Sequence, residues 1–301
     1  MKPSVTKRNN FYPYLLLFIQ PIFMASNIIV ARGGVEYVPP VSLAFWRWLT
    51  VFIILIPFFF NEIIKKKEKL KKESTKLFLL GLTGCGICGA FPFIAGMSTT
   101  MANMGIIYTS SPIFIIVLSV LFFGDKINLS RVTGLVLCLS GVLIIICKGD
   151  FTYLVNFKFT AGDLWMLGAA VGWAIYSIFL INWKSSFSLM ARFTLIALFG
   201  AISLFPFYLI EEFYFFNTAF NNNFIFWILF AAISPGIIAF TLYTKVQKYV
   251  GASLAGFTLY IFSIYTAIYG IILFDESLLS FHYYGAALVF IGIYLARKIV
   301  R

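Results

Sequence analysis

The chain has 301 residues, of which 61% are hydrophobic and 11% charged, and a net charge of +12. Soluble domains carry about 25% charged residues, so a soluble protein of this composition could not cover its own surface. The charge sum by itself fits either nucleic-acid binding or basic membrane loops, and the placement of the lysines separates the two.

The basic N-terminus (Lys2, Lys7, Arg8) leads into an apolar run over 11–31. That run is long for a signal-peptide core and shows no small-residue cleavage site, so it reads as a first membrane span. Nine further runs follow, at 41–60, 77–98, 103–123, 131–147, 162–181, 187–210, 224–244, 251–274 and 281–297. Each is near the ~20 residues that a helix needs to cross a bilayer. None alternates in the way that outer-membrane barrel strands do.

In the first span, Gln20, Met24 and Asn27 are spaced four and three apart and share one helix face. An amide is costly in lipid, so this face should point into the protein. Asn27 then either bonds substrate or bridges two helices. The second span opens on FWRW, Phe45 to Trp48. Arg47 lies about six residues, or roughly 9 Å, into that span. It reads first as an interface anchor or interhelix bond, with its side chain snorkelling between belt tryptophans. The second reading is a gate or substrate contact. Arg192, five residues into the seventh span, has the same relation to its own entry side.

GCGICG, residues 84–89, matches a dinucleotide fingerprint, but it follows no strand and lies in an apolar helix. It therefore reads as helix packing, with Gly81, Cys85 and Gly89 on one face. Cys85 and Cys88 read as small packing residues, and Cys138 and Cys147 also fall in apolar runs, so no disulfide framework is expected. The fourth span carries Asn103, Ser110, Ser111 and Pro112, and the eighth carries Pro235. A proline inside a helix frees a carbonyl, which either contacts substrate at mid-membrane or marks a simple kink.

Orientation follows from the basic residues. With the N-terminus inside, the inner segments hold 18 lysines and arginines, seven of them in 65–76, against 3 outside (Arg32, Lys148, Lys158). The halves also repeat. Phe123, Gly134, Leu137 and Gly141 fall on Phe274, Gly285, Leu288 and Gly292, and Pro57, Phe58 and Glu62 fall on Pro206, Phe207 and Glu211. The repeat is about 150 residues long and contains five spans. An odd number of spans inverts the second copy. Inverted repeats are the architecture of many secondary transporters. The expected fold is an all-α integral membrane protein, with ten transmembrane helices as two inverted five-helix repeats over 11–147 and 162–297.

Four stretches carry a family resemblance: SNIIVARG (26–33), PPVSLAFWRW (39–48), YTSSPIFIIVLSVLFFGD (108–125) and GDLWMLGAAVGWAIYSI (162–178). The chain resembles the EamA-type transporters of the drug/metabolite transporter superfamily over nearly all of 11–297. It departs at Met24, where tryptophan is usual, and at Ser263, where the second repeat often has proline, so helix 9 is expected to be straighter than helix 4. The resemblance implies ten helices, export or uptake of small metabolites, and a central cavity lined by helices 1, 3, 4, 6, 8 and 9. Several members of the family export amino acids. Tyr108, Trp173, Tyr176, Tyr243, Tyr260 and Tyr265 lie in those helices, and tyrosine suits a partly wet pocket.

The reading is a secondary transporter of small organic metabolites that works by alternating access, not an enzyme, with an amino acid or its derivative as first substrate class. The expected substrate-binding set is Asn27, Tyr108, Ser111, Pro112, Trp173, Tyr176, Tyr243 and Tyr260, with Arg47 and Arg192 gating or anchoring. Nucleotide-sugars or drug-like solutes are the alternative cargo. A lipid-modifying membrane enzyme is the rival class, for which the lone His282 offers little. A structural or sensory membrane protein is a further rival. No phosphate loop is present, and no cofactor or metal is expected. Carboxyl groups (Asp163, Glu211, Glu212) fall at span ends, so transport is expected to be facilitated or exchange-type, or else to couple to protons through an end-of-helix acid. Expected partners are a small-molecule substrate and the lipid bilayer, without nucleic acid, for a monomer or homodimer. The expected location is the inner (plasma) membrane, multi-pass, with both termini cytoplasmic. Close contacts through Gly134/Gly141 and Gly285/Gly292 are expected within the chain or between chains.

Overall fold

The computed structural model describes residues 12–99, 104, 107–125, 128–147, 149–150, 152, 160–274 and 280–297. Among them are ten helices and no strand. They are α1 (Tyr12–Ile29), α2 (Pro40–Lys65), α3 (Lys67–Gly81, continuing through Leu82–Ile87 and Cys88–Ala95), α4 (Ser111–Phe123) and α5 (Leu129–Ile146). The second half supplies α6 (Ala161–Asn182), α7 (Leu189–Tyr214), α8 (Asn222–Ala231, Ala232–Ile238 and Ala239–Ala255), α9 (Thr258–Phe274) and α10 (Ser280–Arg297). Five helices are long and apolar enough to cross a membrane: α2, α3, α6, α7 and α8. The protein is a multi-pass membrane protein. The end that carries Lys65 to Lys76 is called here the lysine-rich end, and the other the far end.

Local chemistry sets the boundaries. Pro40 starts α2 at a position where a missing N–H costs nothing. The side chains of Asn128, Ser188 and Asn221 accept from Ser130 N, Ala191 N and Phe224 N, capping α5, α7 and α8. Asp163 accepts from Thr160 N and Oγ1 at the start of α6 and from Thr99 Oγ1 at the end of α3. Gly124, with φ +65°, ends α4 in the left-handed conformation that glycine adopts freely. The middle segments of α3 and α8, and Val30–Gly34 after α1, widen into π-helix, a feature frequent at functional sites.

Pro112 does not break a helix. It sits in the first turn of α4, where no hydrogen bond is lost. Ser111 Oγ donates to the carbonyl of Tyr108 at 2.6 Å, so the backbone acceptor expected to be free is occupied. α4 therefore starts eight residues later than the apolar run. Asn103 lies outside the described residues. Helix α9, with Ser263 in place of proline, runs unbroken over Thr258–Phe274, and the chain bends before it at Gly251, with φ +82°.

The packing obeys an inverted two-fold relation. α2 packs on α7 and α5 on α10, each helix against its own repeat mate. The pairing α1–α9 is matched by α6–α4, and α3–α6 by α8–α1. α5 and α10 approach backbone to backbone. A Cβ on Gly141 would lie 2.5 Å from Gly285 O, and one on Gly292 would lie 2.6 Å from Gly134 O. The glycine pairs thus close a contact inside one chain, and this face is not available to a second copy.

The helix ends of the α2–α7 pair are capped reciprocally. Glu211, near the end of α7, accepts from Val41 N (3.0 Å), Ser42 N (2.6 Å) and Ser42 Oγ (2.8 Å) at the start of α2. Glu62, near the end of α2, accepts from Ser188 N (2.7 Å) and Ser188 Oγ (2.6 Å) at the start of α7. These are the same two positions that the repeat aligns. Each end of the bundle therefore holds one copy of the same cap.

Candidate functional site

A cavity of about 140 Å³ lies within the bundle, walled by α1, α2, α3, α6, α8 and α9 and by Met104 and Tyr108, which precede α4. Its polar corner is built by three helices. Arg47 of α2 is only 3% exposed. Its Nη1 donates to Asn27 Oδ1 of α1 at 2.8 Å, and its Nη2 donates to the backbone carbonyl of Pro235 in α8 at 3.0 Å. Pro235 lies in the π-helical segment of α8, where the backbone departs from regular α-helix. The guanidinium carbon stands 4.6 Å from the centre of the Trp48 ring, a cation–π contact.

The expectation for Arg47 joins an interface anchor with an interhelix bond, and the geometry here is that of an interhelix bond. The side chain turns inward instead of along the helix towards the interface. Trp48 is fully buried, and Trp46 packs on Tyr208, Phe220 and Phe224. The physical reason is that the face of α2 carrying Arg47 is covered by α1 and α8, which give it two carbonyl-type acceptors. The interhelix bonding part of the expectation describes these contacts.

The remaining wall is mostly apolar. Met24, Met104 and Met166 contribute thioethers, and Tyr108, Phe262 and Trp173 contribute rings. Methionine is flexible and polarizable and suits a surface that must adapt to its ligand. Three of the seven methionines of the chain stand here, a signal that could have been read from the sequence. Phe240, Phe262 and Thr266 were not distinguishable there from ordinary core residues, because aromatics make up 19% of the chain.

Of the expected binding residues, Asn27, Tyr108 and Trp173 line this cavity together with Arg47. Ser111 and Pro112 are buried behind it. Tyr243 is fully buried, sharing a 2.8 Å hydrogen bond with Ser177 Oγ. Tyr260 faces the other way, into a cluster with Cys138 and Phe257 beside α5 and α10. Ser263, three residues on and one turn along the same helix, lines the cavity, while Tyr260 is held by the cluster beside α5 and α10. Tyr176 meets the GCGICG segment, where a Cβ on Gly84 would lie 2.4 Å from its ring. Packing explains those glycines: Gly89 clears Trp48, and Gly200 makes room for Cys85.

An aromatic layer closes the cavity towards the lysine-rich end. Trp173 stands 4.8 Å from Tyr243, 5.5 Å from Tyr176 and 5.5 Å from Phe240, ring centre to ring centre. Phe193 of α7 stacks on Phe240 at 5.8 Å. Beyond this layer is a second pocket of about 240 Å³, lined by Tyr176, Arg192, Gln247, Lys184 and Lys248. Arg192 Nη1 donates to Leu180 O at 2.8 Å, so Arg192 belongs to this second pocket and not to the central one.

Cys88 gives a chemical check on the cavity. It lines the cavity, half-buried, with its thiol donating to Ala169 O at 3.2 Å, whereas Cys85, Cys138 and Cys147 are buried. A small polar thiol reagent is expected to modify Cys88 first, and Cys88→Ala is expected to remove that fast phase. Mass spectrometry of the labelled peptides reads the order, and labelling of Cys85 ahead of Cys88 would place the accessible space elsewhere.

Comparison with known proteins gives a consistent picture. The model of the EamA-like transporter family matches residues 11–147 and again 160–297. The chain is 30% identical to a Bacillus subtilis protein named as an uncharacterized transporter, YyaM, over 57% of this chain and 56% of that protein. It is 26% identical to an uncharacterized transporter of Archaeoglobus fulgidus, over 56% of this chain and 57% of the relative. The matches therefore span about half the length of these curated relatives. One solved crystal structure superposes with a TM-score of 0.73 at 18% identity, covering 94% of this chain and 95% of the other. At that identity the likeness concerns the fold.

Proposed function

The chain belongs to the EamA-like transporter family, and from that premise we propose that it carries a small organic solute across a bilayer by alternating access, without ATP. The observation that supports this reading most is the central cavity, whose walls come from both inverted repeats and which an aromatic layer separates from a second pocket. Two such halves, rocking about the site, exchange which side is open. The central cavity and the lysine-rich pocket are then two stations on one path. The basic-residue bias supports the lysine-rich end as cytoplasmic, with both termini on that side; the plasma membrane is the proposed location.

The cargo is an amino acid or a derivative of one. A carboxylate meets Arg47 and Asn27, and an apolar side chain meets the methionines and aromatic rings. A nucleotide-sugar fits less well, because the central cavity sets a single cation against a diphosphate. No lining residue of this cavity carries a carboxyl group, which supports exchange or facilitated flux over proton-driven pumping. The same lining supports transport over lipid-modifying catalysis, which needs acid–base groups.

Counterflow in proteoliposomes tests the reading. Vesicles loaded with a mixed pool of amino acids and organic acids are expected to take up labelled solute transiently above its outside concentration. An imposed pH gradient is expected to leave that uptake unchanged. Absence of counterflow for every solute in the pool, from protein shown to be folded, would remove the transport reading.

A further inference from the structure

We infer that Arg47 is the receptor for the carboxylate of an apolar organic acid with net negative charge, and that the central site favours this monoanion over a zwitterionic amino acid. The inference rests on the transport reading above and narrows its cargo from amino acids and their derivatives to derivatives without a free ammonium group, such as deaminated or N-acylated acids. It begins with an unbalanced charge. A guanidinium buried at 3% exposure is expensive unless it is paired. Among the described residues no carboxyl group pairs with Arg47, and its two hydrogen-bond partners, Asn27 Oδ1 and Pro235 O, are neutral. Guanidinium has five N–H donors. Nε is buried without a partner, and each Nη uses one donor. Donors and charge both remain unspent in the wall of a cavity.

The acceptors decide between cargo classes. An ammonium group needs acceptors, and the two closest to Arg47 each already accept one hydrogen bond from its Nη atoms and face the guanidinium charge, which repels a second cation. The remaining wall offers thioethers, hydroxyls of Tyr108, Ser263 and Thr266, and aromatic faces. A zwitterion would neutralise Arg47 and bring a new uncompensated cation with it. A monoanion leaves the occupied site neutral, which is the cheaper state in a low-dielectric interior. Bidentate contact with a carboxylate is the geometry that arginine is shaped for. The Asn27 and Pro235 contacts fix the guanidinium plane before the ligand arrives.

The second pocket carries the same sign. Arg192, whose Nε is also buried without a partner, lines it with Lys184 and Lys248. An anion that crosses the aromatic layer passes from one arginine to another. A cationic solute would meet repulsion on both sides of the layer.

The test compares isosteres on the purified full-length protein. The probes are 3-phenylpropanoate (anion), phenylalanine (zwitterion), 3-phenylpropanamide (neutral) and phenethylamine (cation), with straight-chain monocarboxylates and their amides as a size series. Binding is read from tryptophan fluorescence, for which Trp173 and Trp48 are neighbours, and by calorimetry. Expected is at least a tenfold preference for the monoanion over both its amide and the zwitterion. Arg47→Gln is expected to bring monoanion and amide to equal affinity, and Arg47→Lys to keep only part of the preference. Equal binding of anion and amide by the unaltered protein overturns the inference, and needs no variant to fold. So does an anion preference that survives Arg47→Gln, or failure of every carboxylate to bind. Counterflow of the same probes separates this from the parent reading. Flux without carboxylate preference leaves transport standing and removes the Arg47 assignment, whereas anion binding without flux does the reverse.

Discussion

Gly141→Leu is expected to be among the most destabilising single changes in this protein. Its side chain would start with a Cβ 2.5 Å from Gly285 O and 3.0 Å from Leu288 Cβ and Val289 Cγ2. The first obstacle is backbone, so no rotamer change relieves it, and α5 must move off α10 along much of their shared length. Overpacking of this kind costs about 1–3 kcal/mol, occasionally more, and here the upper end is expected because two helix backbones are in contact. Thermal unfolding in detergent reads the loss. Gly285→Leu is expected to behave alike, since its Cβ would meet Gly141 O at 2.5 Å. The double variant should cost much less than the sum of the singles, because the first substitution already separates the helices. A Gly141→Leu protein with unchanged unfolding temperature would mean that α5 and α10 are not packed in this way.

Glu211→Ala is expected to cost about 2–4 kcal/mol. It strips acceptors from Val41 N, Ser42 N and Ser42 Oγ, two of which are first-turn amides with no partner in their own helix. Glu211 is 7% exposed, so water replaces it poorly, and each orphaned buried donor carries a penalty of about 1–3 kcal/mol. Its repeat mate behaves differently because its surroundings do. The Glu62 side chain is 25% exposed and adds a 2.7 Å ion pair with Lys66. Glu62→Gln is therefore expected to cost under about 1 kcal/mol. The Lys66 ammonium first, and then the Ser188 hydroxyl and amide, hold the Glu62 carboxyl down at about 2 against an ordinary 4.5. Since the folded value lies below the unfolded one, its contribution is complete above pH 4.5 and is lost as pH falls towards 2. The gap between the unaltered protein and Glu62→Gln should close over that interval. Equal costs for Glu62→Gln and Glu211→Ala at neutral pH would contradict the burial difference.

Much of this molecule was legible without coordinates, and particular residues show why. The offset that lays Glu62 on Glu211 is visible in the sequence, and the structure makes both residues caps of the partner helix. The glycines of α5 and α10 were marked by their repeat spacing, but spacing could not tell a contact within the chain from one between chains. The candidate site was less legible. Asn27 and Trp173 were found from helix face and helix membership. Tyr243 and Tyr260 were chosen on the same grounds, and they stand behind the wall. Helix membership does not say which side a tyrosine takes, and only its neighbours decide which side is cavity.

Arg47 marks the boundary between the two kinds of information. Hydropathy and charge are properties of each residue's own transfer from water. Membrane class, the basic bias and the two-repeat pattern therefore follow from the sequence by itself. The direction in which Arg47 points is set by Asn27, twenty residues away, and Pro235, 188 residues away. Those acceptors reach it only when α1, α2 and α8 pack. The tertiary structure alone decides that the arginine faces a cavity instead of the membrane surface, because the energy of a buried charge depends on which groups surround it and not on where it stands in the chain.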